Sequence, residues 1–574
     1  MLDKATLACP LRGCRYRAPF RARILHAFCN GQPCNSHLRR TPERKGTWCQ
    51  AADTQYSSDL HSFNQWIIDA GVDGTNGVSQ RVELYQYGHE GRGLRATCDI
   101  KEGGQLFSLP MDICLVHKST EEAFNKGLGE GLDEFTAMAA KLMRERSQQQ
   151  ESVHYHYIQA MPTAVPSLYG AFPDSMRDEL QGFVSEPDWE EGRNRPGFEW
   201  GKICDSPLME GFNQEDFRWA YSIVNSRAFA AGRRSEGEPE GQPEDWKFCV
   251  PLLDMMDHGG PRRQQVSDEP VRVDNVRWGF TDLGNDTWQM QAIALQDILK
   301  GESLLLRYAG GRTSTHYLTH YGFVPPGDPH EEVDLFPHMY GAVNWLLDTL
   351  LGEESLSQAE RQQLAADAHK AARATGLEQM MAASRNGGVT RANLTQSNPL
   401  AVKLIGDRVD NRLMEAAREL MRHKQVSSKE RAKVWGKLIL DRIGELLNQA
   451  GRTSLDEDLQ LLARHAAPTD RSFYAACQRI YLKKARSILS SNTAHHCVRA
   501  YEYRGDTENS IAASMETFWL QAVQLRASQK MMLLSAFEAT ADLLTSTAWS
   551  KQVKAAPTAR ASKGFGGGTG KRKR

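Results

Sequence analysis

Short strand-like segments at Val82–Tyr85, Leu94–Ile100 and Gln105–Leu109 give way to helical text over 120–225, and strand text then returns at 249–256, 276–280, 288–295 and 303–309. That return constrains this chain more than any other feature. Glycines punctuate the first block, and in the second Trp288, Met290, Ala292 and Ala294 alternate with polar neighbours at the period of a strand with one buried face. The middle of the chain therefore reads as a split sheet carrying a helical insert. DEFTAMAAKLMRERSQQ and DFRWAYSIVNSRAF are the clearest helices of that insert. A short helix with a serine start and a glycine stop, Ser62 to Gly71, precedes the first strand.

Beyond residue 335 the strand text stops. Ser357 with Glu360, and Ser427 with Glu430, have the spacing of capping boxes, in which each side chain satisfies an amide the first turn leaves open. Val434, Leu438, Ile439, Ile443 and Leu446 fall on one face of the helix that Ser427 opens, and RSFYAACQRIYLKKARSIL repeats the helical spacing. The expected fold class is α+β: a sheet-based domain over 56–335 with its insert at about 120–225, then an all-α domain over 336–549. At 574 residues the chain is too long for a single core, which agrees with two folded domains.

Charge is distributed unevenly. Residues 1–50 carry +8 and residues 550–574 another +8, so with a net charge of −1 the body between them holds −17. An acidic body steers basic partners and repels a phosphate backbone, which argues against nucleic acid as the ligand. The basic, Gly-rich tail (550–574) has too little apolar content to fold. The Arg-rich, acid-poor segment 1–55 has the composition of an organelle transit peptide, with a plain basic arm as the other reading. No apolar run reaches the ~18 residues of a membrane helix. The eleven cysteines show no zinc spacing.

Four segments have chemical content: 89–110, beginning HEGRGLR; NSRAF (225–229); PLLDMMDH (251–258); and LLLRYAGGRTSTHYLTHYGFVP (304–325). Each alone has a plainer explanation. Gly91-Arg92-Gly93 fits a hairpin turn and lacks the third glycine of a dinucleotide site. Asp254, Asp257 and His258 lack further ligands at metal spacing, so no metal is expected. Tyr308 and Tyr321 fit half-buried sheet residues.

Taken together, in this order, the segments resemble the SET-domain methyltransferases, and within them the branch typified by the Rubisco large-subunit lysine methyltransferase. The resemblance covers roughly residues 60–500. It implies a SET β-fold followed by a helical substrate-binding domain. It implies S-adenosylmethionine as cofactor, held by the turn Glu90, Gly91, Arg92 and Gly93, by Arg227 at the carboxylate end, and by Asp257 and His258. Tyr321 matches the family's catalytic tyrosine, and Tyr308 its other site tyrosine. The activity implied is methyl transfer to a lysine amine of a protein docked on the helical domain, by a monomer with no membrane or nucleic-acid partner. Tyr321 bears on the acceptor, because the family's actin-histidine member lacks tyrosine there. Rubisco or another plastid protein fits a plastid location; a nuclear or cytoplasmic one fits other substrates.

Chemistry explains the residue types. An in-line transfer from a sulfonium to a neutral amine is accelerated chiefly by alignment and requires no strong base. A planar guanidinium suits a carboxylate. The departures are Asp257, where the family has asparagine, Thr313-Ser314 for its S-N pair, and a longer stretch at 233–245. They leave a second reading open, a degenerate SET protein that serves as a protein-binding module.

Overall fold

A computed structural model of the chain describes residues 62–69, most of 81–352 and of 356–449, and residues 455–465, 473–479 and 516–545. The basic segment 1–55, the tail 550–574, Glu90 and Gly91 lie outside the described residues.

Fifteen strands are described. The first block supplies β1 (Val82–Gln86), β2 (Arg92–Ala96), β3 (Gln105–Pro110) and β4 (Leu115–Lys118). The insert is followed by β5 (Phe229–Arg233), β6 (Glu244–Cys249), β7 (Asp257–His258), β8 (Arg262–Arg263), β9 (Pro270–Val271), β10 (Val276–Gly284), β11 (Thr287–Ala294) and β12 (Ser303–Leu306); β13 (Glu332–Phe336), β14 (Val402–Ile405) and β15 (Arg408–Val409) come last. The two blocks share one sheet, as the split-sheet reading requires. Its order is β1-β2-β12-β10-β11-β3, with β7 also on β12, and β4-β6-β5 form a smaller sheet.

Strand β12 is the hub. It runs antiparallel to β2 and parallel to both β10 and β7, with Leu305 opposite Asp257 and Leu306 opposite His258. Met290, Ala292 and Ala294 are buried on one face of β11, so the alternation in the sequence is a true record of the pleat.

In the insert, Asn213 caps the helix Gln214–Arg227 by accepting from the amides of Glu215 and Asp216. Phe217, Ala220, Ile223 and Val224 bury its inner face, and the helix delivers Arg227 at its last turn before the chain enters β5.

One segment departs from its expected form. Residues 249–256 are not a continuous strand. Pro251 has no amide to give a ladder, so β6 stops at Cys249. Leu252 takes φ +67° and ψ −51° and the Leu253 amide bonds the Pro251 carbonyl at 2.8 Å, a strained γ-turn. A 3-10 turn over Leu253–Met255 then leads into β7.

The described residues divide into two compact units. The first comprises those up to Glu331 together with those within Thr453–Ser490 and Arg504–Ser528; the second comprises Glu332–Arg452 and those that follow Gln529. Part of the stretch expected as one helical domain (336–549) thus belongs with the first unit. There Arg526, 1% exposed, donates to Asp458 at 2.7 Å and to Glu179 at 2.8 Å, so a guanidinium buried this deeply has its counter-charges.

The second unit corrects the all-α expectation. Its helices Met339–Leu351, Gln358–Arg385, Asn411–His423 and Ser428–Gln449 accompany a three-stranded sheet, β13-β14-β15. Val333 and Leu335 alternate with Glu332 and Asp334, so a strand signal exists in β13, but its partner lies about seventy residues away and pairing that distant leaves no local trace. Both capping boxes form: the Glu360 amide donates to Ser357 Oγ and the Glu430 amide to Ser427 Oγ, each at 3.3 Å.

Candidate functional site

Asp254 sits in an apolar run, and its side chain is fully buried. A carboxylate there must be paired, and it is paired twice. Tyr157 donates its hydroxyl to Asp254 Oδ2 at 2.7 Å, and Arg227 Nη1 reaches the Asp254 carbonyl at 2.8 Å and Oδ2 at 3.4 Å. Burial opposes the Arg227 charge, but the Asp254 carboxylate outweighs it and holds the guanidinium firmly protonated. Burial, then the same carboxylate, pushes the Tyr157 hydroxyl far up. Nε and Nη2 of Arg227 make no hydrogen bond among the described residues, which leaves two donors for an anion.

Two residues further on, the Met256 carbonyl accepts a short hydrogen bond from the Tyr308 hydroxyl. Tyr308 joins the remaining parts of the site. Its amide donates to His258 Nδ1 at 3.3 Å, its ring meets that of His258 at 5.3 Å, and it lies 5.2 Å from the ring of Tyr321. Tyr317 and Phe323 close the aromatic wall, at 5.7 and 6.0 Å from Tyr321. The Tyr321 hydroxyl makes no hydrogen bond among the described residues. Burial raises it to about 12, so it stays a neutral donor and acceptor throughout the physiological range.

Tyr321 is held from behind. It caps the short helix Ser314–His320, and Gly322 then turns with φ +80°. A Cβ at Gly322 would lie 2.5 Å from the backbone carbon of Pro166, so no other residue fits. His316 and His320, one turn apart with rings at 4.1 Å, stand beside Tyr321, and burial drives His320 down to about 3. Both imidazoles are therefore neutral spacers at ordinary pH.

The two glycines after His258 have an explanation different from the cofactor approach that their position invites. A Cβ on Gly259 would strike Leu305 at 2.6 Å, and one on Gly260 would strike the His258 ring at 2.2 Å. They are small because β7 is wedged against β12 and because His258 folds back over its own chain.

Arg227, Asp257, His258, Tyr308 and Tyr321 are thus brought together, although about ninety residues separate the first from the last. Of the E-G-x-G turn, Arg92 opens β2 opposite Gln86 and Gly93 pairs with Tyr85. Leu94 pairs with Leu304, so the register places Gly93 level with Leu305, the residue opposite Asp257. The described end of that turn therefore shares one end of the sheet with β7. Sequence reasoning missed Tyr157 and the anchoring role of Asp254. A charge inside PLLDMM was the available signal for Asp254; nothing marked Tyr157.

Asp257 stands apart electrostatically. Its side chain is half-buried and has no hydrogen-bond or ion-pair partner among the described residues, and desolvation raises its carboxyl from 3.8 to about 7. Between those values the folded chain holds a proton that the unfolded chain has released, so stability falls as pH rises from about 4 to 7. Asp257→Asn removes that penalty. Urea titrations should find the variant about 2–4 kcal/mol more stable than wild type at pH 8 and nearly equal to it at pH 4.5; equal stability at both would show the carboxylate to be solvated.

The fold and site thus define an α+β protein in which Arg227, Asp257 and Tyr321 are gathered around Tyr308 and its aromatic neighbours, with no partner among the described residues for the Asp257 carboxylate or the Tyr321 hydroxyl. No family model matches the chain. By sequence it is similar to the actin-histidine N-methyltransferases of Canis lupus familiaris (25% identical over 279 residues, 45% of this chain and 43% of that protein) and Homo sapiens (26% over 279 residues, 45% and 42%). It therefore spans less than half the length of these curated relatives. Among solved structures it is similar to the SET domain of LSMT bound to lysine and AdoHcy (16% identical, 85% of this chain and 93% of that chain, TM-score 0.48) and to Rubisco LSMT bound to AdoMet (16%, the same coverage, TM-score 0.44). The resemblance to SET-domain methyltransferases read from the motifs is borne out by the sequence relatives, which are the actin-histidine member of that family.

Proposed function

We propose that this chain is an S-adenosylmethionine-dependent protein methyltransferase whose acceptor is a lysine side chain. The observation that carries the reading is the free hydroxyl of Tyr321 beside Tyr308, whose own hydroxyl is committed to the Met256 carbonyl. Bound S-adenosylmethionine supplies an activated methyl group on a sulfonium. The residues present fit it. The spare donors of Arg227 suit its carboxylate, the unpaired Asp257 suits its ammonium, and His258 offers a ring face.

The rest of the chemistry belongs to the protein. The wall of Tyr308, Tyr317, Tyr321 and Phe323 excludes water from the acceptor, and desolvation lowers a lysine ammonium's pKa toward the neutral amine that attacks. The Tyr321 hydroxyl and the Met256 carbonyl are placed to align that amine through weak contacts of about 0.5–1 kcal/mol each. Neither His316 nor His320 serves as a base, because burial holds both far below neutrality.

A second reading, transfer to histidine, is favoured by the activity of the sequence relatives. Tyr321 supports lysine. Recombinant protein incubated with methyl-labelled cofactor and cell extract should label a protein band, and peptide mass spectrometry should find the label on lysine. Label on histidine selects the second reading, and no label above the Tyr321→Phe background rejects both in favour of a non-catalytic module. The second unit is proposed as the docking surface for the protein substrate. Residues 1–55 are proposed as a plastid address, which a fluorescent fusion with and without them would check.

A further inference from the structure

Within the proposed site, one charge is left over. Asp254 is matched by Arg227 and Tyr157, and the Arg227 guanidinium by Asp254. Asp257 has no such match: β7 fixes its backbone against Leu305, and among the described residues no donor or cation meets its carboxylate. The groups around it do not supply a charge. Tyr308, from the segment after β12, faces it with a neutral hydroxyl held by Met256, and burial keeps Tyr321 neutral beyond that. His258 on the same strand turns its ring to Tyr308, Tyr317 and Phe323. An unpaired acid in such a place is most stable holding its proton.

We propose that Asp257 couples cofactor binding to proton release: the carboxylic acid gives its proton to solvent as the cationic sulfonium amino acid enters, and the resulting carboxylate pairs with the ligand's ammonium. This rests on the reading of the site as one for S-adenosylmethionine. It also gives the departure from the family's asparagine a consequence, since an amide can neither release a proton nor carry the counter-charge. Because the free protein holds this acid protonated to about pH 7, affinity should rise with pH up to that value and level off. The ligand's own α-amino group remains charged over that range, as its pKa lies near ~8.

The test is isothermal titration of the full chain with S-adenosylmethionine at pH 5.5 and 7.0, each in two buffers of different ionisation enthalpy. Wild type should bind on the order of tenfold more tightly at pH 7.0 and release close to one proton at pH 5.5. Asp257→Asn should show a flat profile with no proton released; a variant that keeps the wild-type slope overturns the assignment to Asp257. The buffer comparison on wild type needs no variant, so the result stands even if the substitution perturbs folding. Binding by wild type with no pH dependence and no proton release overturns this proposal and leaves the cofactor reading intact. No binding at either pH overturns both.

Discussion

Asp254→Ala is expected to lower the stability of the first unit by about 3–5 kcal/mol, the largest loss predicted for any single substitution in the site. The carboxylate is fully buried, and Arg227, with 18% of its side chain exposed, relies on it for counter-charge. Removing the acid leaves the Arg227 charge without its carboxylate and a Tyr157 hydroxyl without its acceptor. Asp254→Asn should cost less, because an amide oxygen still accepts from Tyr157 while the charge is lost. The double variant Asp254→Ala with Arg227→Met should recover part of the stability, since no uncompensated charge then remains. Urea unfolding followed by tryptophan fluorescence measures all three. A single-variant cost below about 1 kcal/mol would mean that Arg227 reaches water when freed, and the anchoring role would be lost.

The second large effect is expected in rate. Tyr321→Phe should reduce kcat on the order of 10²-fold, the scale seen when one preorganised polar contact to a reacting group is removed, while the affinity for S-adenosylmethionine stays within about twofold, a free-energy change under ~0.5 kcal/mol. Stability should change little, because the hydroxyl has no partner among the described residues and the ring keeps its contacts with Tyr308 and Phe323. Tyr308→Phe makes the contrast: it breaks the bond to the Met256 carbonyl and should therefore shift stability as well as rate. Single-turnover kinetics beside binding calorimetry separates these outcomes. Wild-type turnover in Tyr321→Phe would remove that hydroxyl from the mechanism.

Both predictions depend on residues of different legibility. Tyr321, Tyr308, Arg227, Asp257 and His258 could be picked out from their motifs, but the motifs do not say that Tyr308 is the piece touching the others. Asp254 was visible only as a charge in an apolar run, and Tyr157, on a short helix of the insert, bore no mark at all. Its role arises from a contact across 97 positions of sequence. The turn at Leu252 shows the opposite case. Pro251 stood in the text as a reason for a strand to end there, yet the hydrophobic run around it read as continuous.

By itself the sequence determined the periodic elements: the alternating strands, the capped helices and the return of strand text after the insert. These follow from local rules, in which side-chain direction and backbone sterics act over a few residues. Tertiary structure alone decided that β7 lies against β12, that β13 finds β14, that Arg227 already has a partner and that Asp257 has none among the described residues. Which charges neutralise one another depends on distances through space in a medium of low polarity, and chain order contains no measure of those distances.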